Sequence, residues 1–295
     1  MNSHAPKDWA LLMALVLMWG SSFMFNKLGI ATVPPATLVA GRLVIGAAIL
    51  VAVVYARGAR LPRLGTTWWS FVALAVIGNA LPFYLISWGQ KVVDSALAGI
   101  LMAGMPLATL VLAHFLIATE PMTRNRVAGF VLGFVGIVVL MGPAALKGIG
   151  GSLLQVISEL AILGGALCYA LNSVLARLLV KGNFLVSSTA VLLAASAVAV
   201  PFALALDRPW TLAPSFSSVA AIVWLGIGPT GIATICYFRL ISSAGATFMS
   251  LVNYLTPCVA LFAGVWLMSE EPGPNAYAGL VLILAGIALS QLRRR

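Results

Sequence analysis

Residues 119–129 read TEPMTRNRVAG and residues 269–279 read SEEPGPNAYAG. The chain states nearly the same phrase twice, 150 residues apart, and the second copy has lost both arginines and gained a glutamate. The correspondence extends outward. Pro106 pairs with Pro257, Glu120-Pro121 with Glu271-Pro272, Gly129 with Gly279, Gly136 with Gly286, Trp19 with Tyr169, Ser22 with Asn172 and Lys27 with Arg177, all at offsets of 150 or 151. Apolar helices resemble one another by composition, but that does not produce paired charged Glu-Pro steps. The chain is therefore an internal repeat.

The phrases sit between long apolar runs. Hydrophobic residues make up 62% of the 295 positions and charged residues 8%, against roughly 45–50% and 25% in soluble domains. Runs of 18 or more apolar residues suffice to cross a hydrocarbon core about 30 Å thick. Hydropathy and Gly, Pro and charge punctuation predict ten helices near 9–28, 36–56, 68–88, 93–117, 127–142, 153–179, 185–206, 216–241, 245–268 and 275–291. The loops between them are too short for a soluble domain. The first run is long for a signal peptide, lacks a small-x-small cleavage site and is read as a retained helix. A pI near 10 in a soluble chain would suggest nucleic acid, but these bases lie singly or in threes between apolar runs. Cys168, Cys236 and Cys258 fall inside apolar segments without metal-ligand spacing and read as packing residues. No metal, cofactor or nucleic-acid partner is expected.

Counting Lys and Arg on alternate faces places Lys7, Arg57, Arg60, Arg63, Arg124, Arg126, Arg177, Lys181, Arg239 and Arg293 to Arg295 together, twelve in all. The other face has Lys27, Lys91, Lys147 and Arg208. The richer face is expected to be cytoplasmic, with both termini inside. Five is an odd number, so a second set of five helices enters from the opposite side. The expected fold is an all-α integral membrane protein of ten transmembrane helices in two inverted five-helix repeats, 1–145 and 146–295. TEPMTRNRVAG then faces the cytoplasm and keeps its arginines, whereas SEEPGPNAYAG faces outward and does not.

An arginine early in the second helix (PPATLVAGRLVIG), the segment MWGSSF in the first, and an E-P step before a Gly-rich helix closing each half resemble the EamA family of the drug/metabolite transporter superfamily over essentially the whole chain. Within it the chain looks most like bacterial YddG-type amino-acid exporters. The resemblance implies export of amino acids from a multi-pass position in the bacterial inner membrane. Helix 7 carries no arginine near Ser187 to Leu193 corresponding to Arg42, so a symmetric arginine pair is not expected.

Inverted repeats enclose a central site near mid-depth. In helix 1, Trp19 lies about ten residues, or ~15 Å, from the cytoplasmic end, and Ser22 and Asn26 follow on its face. Tyr169 and Asn172 are the counterparts in helix 6. Helices 3 and 8 contribute Asn79, Pro82 and Tyr84, and Pro229 and Tyr237; helix 9 contributes Asn253. Each also has a plainer reading, as interfacial aromatics or as helix-joining polar groups. Pro106 and Pro257 remove the N–H partners of the Met102 and Asn253 carbonyls, predicting kinks that either shape the cavity or only serve packing. Arg42, seven residues or ~10 Å below the outer end of helix 2, is expected to face inward and bind a substrate carboxylate or carbonyls or form part of an outer gate, the alternative being snorkelling. The glycines of helices 5 and 10 read as scaffold.

All seven acids fall within a turn or two of a helix end, whereas ion-driven carriers usually keep an acid in the membrane. A facilitator working by alternating access follows, with Glu159 and His114 as the groups that would make it proton-coupled. The expected substrate is a small polar metabolite, such as a neutral or aromatic amino acid. The alternatives are another metabolite or drug class with proton coupling, or a channel. No nucleophile and base are paired at depth, so an enzyme is not expected. The protein is expected to act as a monomer in the lipid bilayer.

Overall fold

The computed structural model describes residues 5–117, 122–146, 153–179 and 182–291. The Glu120-Pro121 pair, Lys147, Lys181 and the terminal arginines lie outside them. All regular structure among the described residues is helical. The helices run Pro6–Gly29, Pro35–Ala56, Thr67–Gly89, Ser95–Leu116, Arg124–Leu146, Leu153–Leu179, Phe184–Leu206, Phe216–Gly245, Val252–Leu267 and Pro274–Gln291. Among the described residues nine helices are long and apolar enough to span a membrane. The ninth in order, Val252–Leu267, is shorter because the expected run over 245–268 is interrupted at Ser250 and Leu251.

That interruption recurs in the first half. Proline has no N–H and its ring crowds the carbonyl four residues back, so the turn before it tightens. Ahead of Pro106, the Ala103 and Gly104 amides bond to the Ile100 and Leu101 carbonyls at 3.0 Å. Ahead of Pro257, the Asn253 and Tyr254 amides bond to the Ser250 and Leu251 carbonyls at 3.1 Å. Every partner is displaced by 150 residues. Pro106 is therefore not a kink within a continuous helix, as its sequence suggests, but stands in the first turn of the new segment Met105–Leu116, where its missing donor costs nothing.

Helices 3 and 8 share a second irregularity at the same offset: π-helical stretches at Val76–Ala80 and Gly226–Ile232. Neither is visible in hydropathy, because a one-residue bulge leaves the apolar run intact.

Helices 5 and 10 show how the repeats are related. A Cβ on Gly136 would sit 2.8 Å from the Ile283 nitrogen, and one on Gly279 would sit 2.8 Å from the Gly136 carbonyl. Likewise Gly129 faces the Gly286 carbonyl and Gly286 faces the Gly129 carbonyl. Gly129 thus meets the repeat partner of Gly136, and Gly136 meets the partner of Gly129. Such an exchange between antiparallel helices is the signature of a local two-fold relation. Small residues let the backbones touch, because lipid supplies no hydrophobic drive and close packing must hold the pair.

On the face where helices 1, 3, 7 and 9 end, hydrogen bonds join the halves. The Glu270 carboxylate accepts from the Ser95 amide (2.8 Å), the Ser95 hydroxyl (2.7 Å) and the Ala96 amide (2.8 Å), capping helix 4. The Asp207 carboxylate accepts from the Thr37 amide (2.7 Å) and hydroxyl (3.0 Å), capping helix 2. Thr32 donates to Ser218 (2.8 Å), and Ser218 donates to the Leu28 carbonyl (2.9 Å).

Candidate functional site

The π-helical turn of helix 8 organises the centre. Pro229 cannot donate to the carbonyl four residues back, that of Leu225. In the π-helical turn amides reach five residues back, which gives Leu225 O the Thr230 amide, and the Thr230 hydroxyl donates to the same carbonyl at 2.8 Å. Its oxygen lone pairs remain available, and the Arg42 Nε and Nη2 groups donate to it at 3.3 and 3.1 Å. The displaced Pro229 carbonyl in turn accepts from the Trp19 indole N–H at 3.1 Å. One proline thereby creates an acceptor for helix 1 and a foothold for the arginine of helix 2.

Arg42 is buried, with 7% of its surface exposed, so it does not snorkel to the outer face. Phe83 of helix 3 lies under the guanidinium, 3.7 Å from its carbon to the ring centre. Tyr169 of helix 6 packs edge-on to Phe83 at 6.1 Å, and Tyr237 lies 6.0 Å from Trp19. An arginine has five N–H donors, and the Thr230 hydroxyl is the only acceptor Arg42 uses among the described residues. The guanidinium has donor capacity to spare in an apolar, aromatic setting. It suits an incoming anion with two oxygens in one plane.

Several anticipated groups meet here, from both halves: Trp19, Arg42, Tyr169, Pro229 and Tyr237. Asn172 packs against Gly78, in the bulge that carries Asn79. Met102 and Tyr169 pack on the cluster around Phe23, together with Tyr254. Asn253 is half-buried at the interruption of helix 9, and Pro257 follows inside that helix. Pro82 begins the segment after the helix 3 bulge.

Three anticipated groups are engaged elsewhere. The Asn26 amide donates to the Gln90 side chain at 2.7 Å and accepts from Ser87 at 2.8 Å. Gln90 then donates to the Phe23 carbonyl at 3.0 Å. Lys27 bonds to the Gln90 and Val93 carbonyls at 2.9 and 3.0 Å, and pairs with Asp94 at 3.5 Å. Asn26 belongs to this closed structural network, because a buried amide is stable only when its donors and acceptors are used. Ser22 turns its hydroxyl to the Trp19 carbonyl at 2.6 Å. Tyr84 packs edge-on to Phe202 of helix 7 at 5.4 Å.

Thr230 and Phe83 were missed. The Pro229-Thr230 step signals Thr230, since a hydroxyl after an in-helix proline can serve the vacated carbonyl. Phe83 carries no signal, being one phenylalanine among 13. Among the described residues no group of three His, Cys, Asp or Glu is placed to hold a metal ion.

A sequence model of the EamA-like transporter family matches residues 8–142 and again 156–292. The chain is 25% identical over 280 residues to the uncharacterized transporter YoaV of Bacillus subtilis, covering 95% of this chain and 94% of that one. It is 26% identical over 285 residues to the uncharacterized inner membrane transporter YedA of Escherichia coli, with 95% and 89% covered. It is 27% identical over 288 residues to a probable terminal-alkyne amino-acid exporter of Streptantibioticus cattleyicolor, with 97% and 93% covered. A solved crystal structure shares the fold with a TM-score of 0.69 at 24% identity, over 98% of this chain and 97% of its own.

Proposed function

Because this chain belongs to the EamA-like transporter family of multi-pass inner-membrane proteins, we propose that it exports small metabolites bearing a carboxylate, above all neutral and aromatic amino acids. The observation that carries this reading is Arg42: a buried guanidinium with a single hydroxyl acceptor and an aromatic ring beneath it. A substrate carboxylate displaces Thr230 as acceptor, and Trp19, Phe83, Tyr169 and Tyr237 offer rings to its side chain. The exporter of Streptantibioticus cattleyicolor, named for an amino acid, supports that class.

Transport proceeds by alternating access, the halves 1–145 and 146–295 rocking about the site from one face to the other. The face carrying Asp94, Asp207 and Glu270 is taken as external, since the opposite face holds most of the bases. The protein acts as a monomer in this scheme.

The test is counterflow in proteoliposomes at matched pH, preloaded with a panel of unlabelled amino acids. Transient, saturable accumulation of a labelled one is expected to depend on the preloaded compound. Arg42→Gln is expected to lower it about 100-fold, and Arg42→Lys to rescue it only in part, because an ammonium lacks the planar fork. Equal counterflow in Arg42→Gln and the native protein overturns the carboxylate reading. Flux without counterflow makes the protein a channel.

A further inference from the structure

The expectation of a facilitator rested on every acid lying near a helix end. Burial separates those acids. Asp8 of helix 1 is buried, but both its oxygens are used, one by Ser243 (2.7 Å) and one by the Ala5 amide (3.2 Å). Asp207 and Glu270 accept from helix N-termini, and Asp94 pairs with Lys27. Glu159 differs. It is 4% exposed, six residues or ~9 Å into helix 6. One oxygen accepts from Gln155 at 2.7 Å, and the other is buried without a partner among the described residues. The adjacent Ser158 hydroxyl is likewise buried and unpartnered.

Among the described residues no cation compensates it. Helices 3, 4 and 5 pack against helix 6. At this end helix 3 brings Lys91, which is exposed, and helix 4 brings Asp94, which is held by Lys27. His114 of helix 4 and Arg124 and Arg126 of helix 5 stand at the opposite end. A carboxylate with an orphan oxygen and no opposing charge is costly in so dry a place, while a carboxylic acid is tolerated. Glu159 also sits beside a seam between the halves: Ser158 and Ile162 of helix 6 lie against Gly89 of helix 3, leaving no room for a Cβ there. Parting the halves on this face opens that seam to water.

We propose that Glu159 is a proton-binding site whose occupancy permits closure of the face carrying Asp94, Asp207 and Glu270, so that pH at that face gates the carrier. This rests on the transporter reading. With the halves closed on this face Glu159 holds its proton; with the face open, water solvates the carboxylate and the proton leaves. The proton is taken up from and returned to the side on which this face opens, so it gates closure of that face and is not itself carried across the membrane.

Spin labels at Lys91→Cys and Trp210→Cys, one exposed site in each half, report closure in proteoliposomes once Cys168, Cys236 and Cys258 are replaced by alanine. No substrate is added, so the outcome is independent of the carboxylate reading. Raising the pH is expected to lower the closed-to-open ratio by up to about tenfold per unit, as one linked proton dictates. Glu159→Gln and Glu159→Leu are expected to stay closed at every pH, and Glu159→Asp to keep the response. Protonating Asp207 and Glu270 acts with the opposite sign, because acid removes their acceptor charges. Opening in acid, no pH response, or an equal response in Glu159→Gln overturns the proposal.

Discussion

Thr230 shows what one side chain does at this centre. Its hydroxyl donates to the Leu225 carbonyl and accepts from Arg42. Thr230→Val keeps the volume and loses both hydroxyl bonds, leaving the buried Arg42 guanidinium without its acceptor. The expected cost is about 3 kcal/mol, and Thr230→Ser is expected to recover most of it. Thermal unfolding in detergent measures the difference; a valine variant as stable as the native protein removes Thr230 from the account. At this scale sequence reading was uneven. Arg42 was legible because a charge inside a span is always conspicuous. Asn26 was misjudged because helical spacing places it on the face of Trp19, while its actual partners, Ser87 and Gln90, lie more than 60 residues away in helix 3 and just beyond it.

The irregular turns of helices 3, 4, 8 and 9 are repeated elements. A π-helical turn moves a carbonyl out of register and is common where helices carry function. Pro229→Ala supplies the missing N–H to Leu225 and favours a regular helix, which withdraws the Pro229 carbonyl from Trp19. The expected result is a protein at least as stable as the native one, by about 1 kcal/mol or more, with counterflow reduced at least tenfold. Undiminished counterflow would make the bulge a matter of packing only. Prolines 106 and 257 were legible as breaks from composition. Where the backbone tightens, one turn ahead of each, was not, since that depends on which carbonyls neighbouring helices leave room to turn.

The whole molecule is tied shut on one face by three sets of bonds between the halves, centred on Asp207, Glu270 and Thr32. Charge-assisted bonds to helix N-termini each contribute about 1.5–3 kcal/mol. Asp207→Asn and Glu270→Gln are each expected to raise the reactivity of a cysteine at Ser22 toward an impermeant thiol reagent about tenfold, added on that face. Unchanged reactivity in the double variant would show that these bonds do not hold the face closed.

Sequence alone determined that this is a membrane protein of two related halves. Long apolar runs have one stable solution in lipid, and the odd number of helices per repeat, with arginines exchanged for neutral residues, dictates inversion. Tertiary structure alone decided which polar groups are spent and which are free. Asn26, Asp8 and Glu159 look alike in a sequence, each a polar residue in or beside an apolar run. Only the partners brought by distant helices separate a satisfied amide and a paired acid from a carboxyl with one oxygen unclaimed.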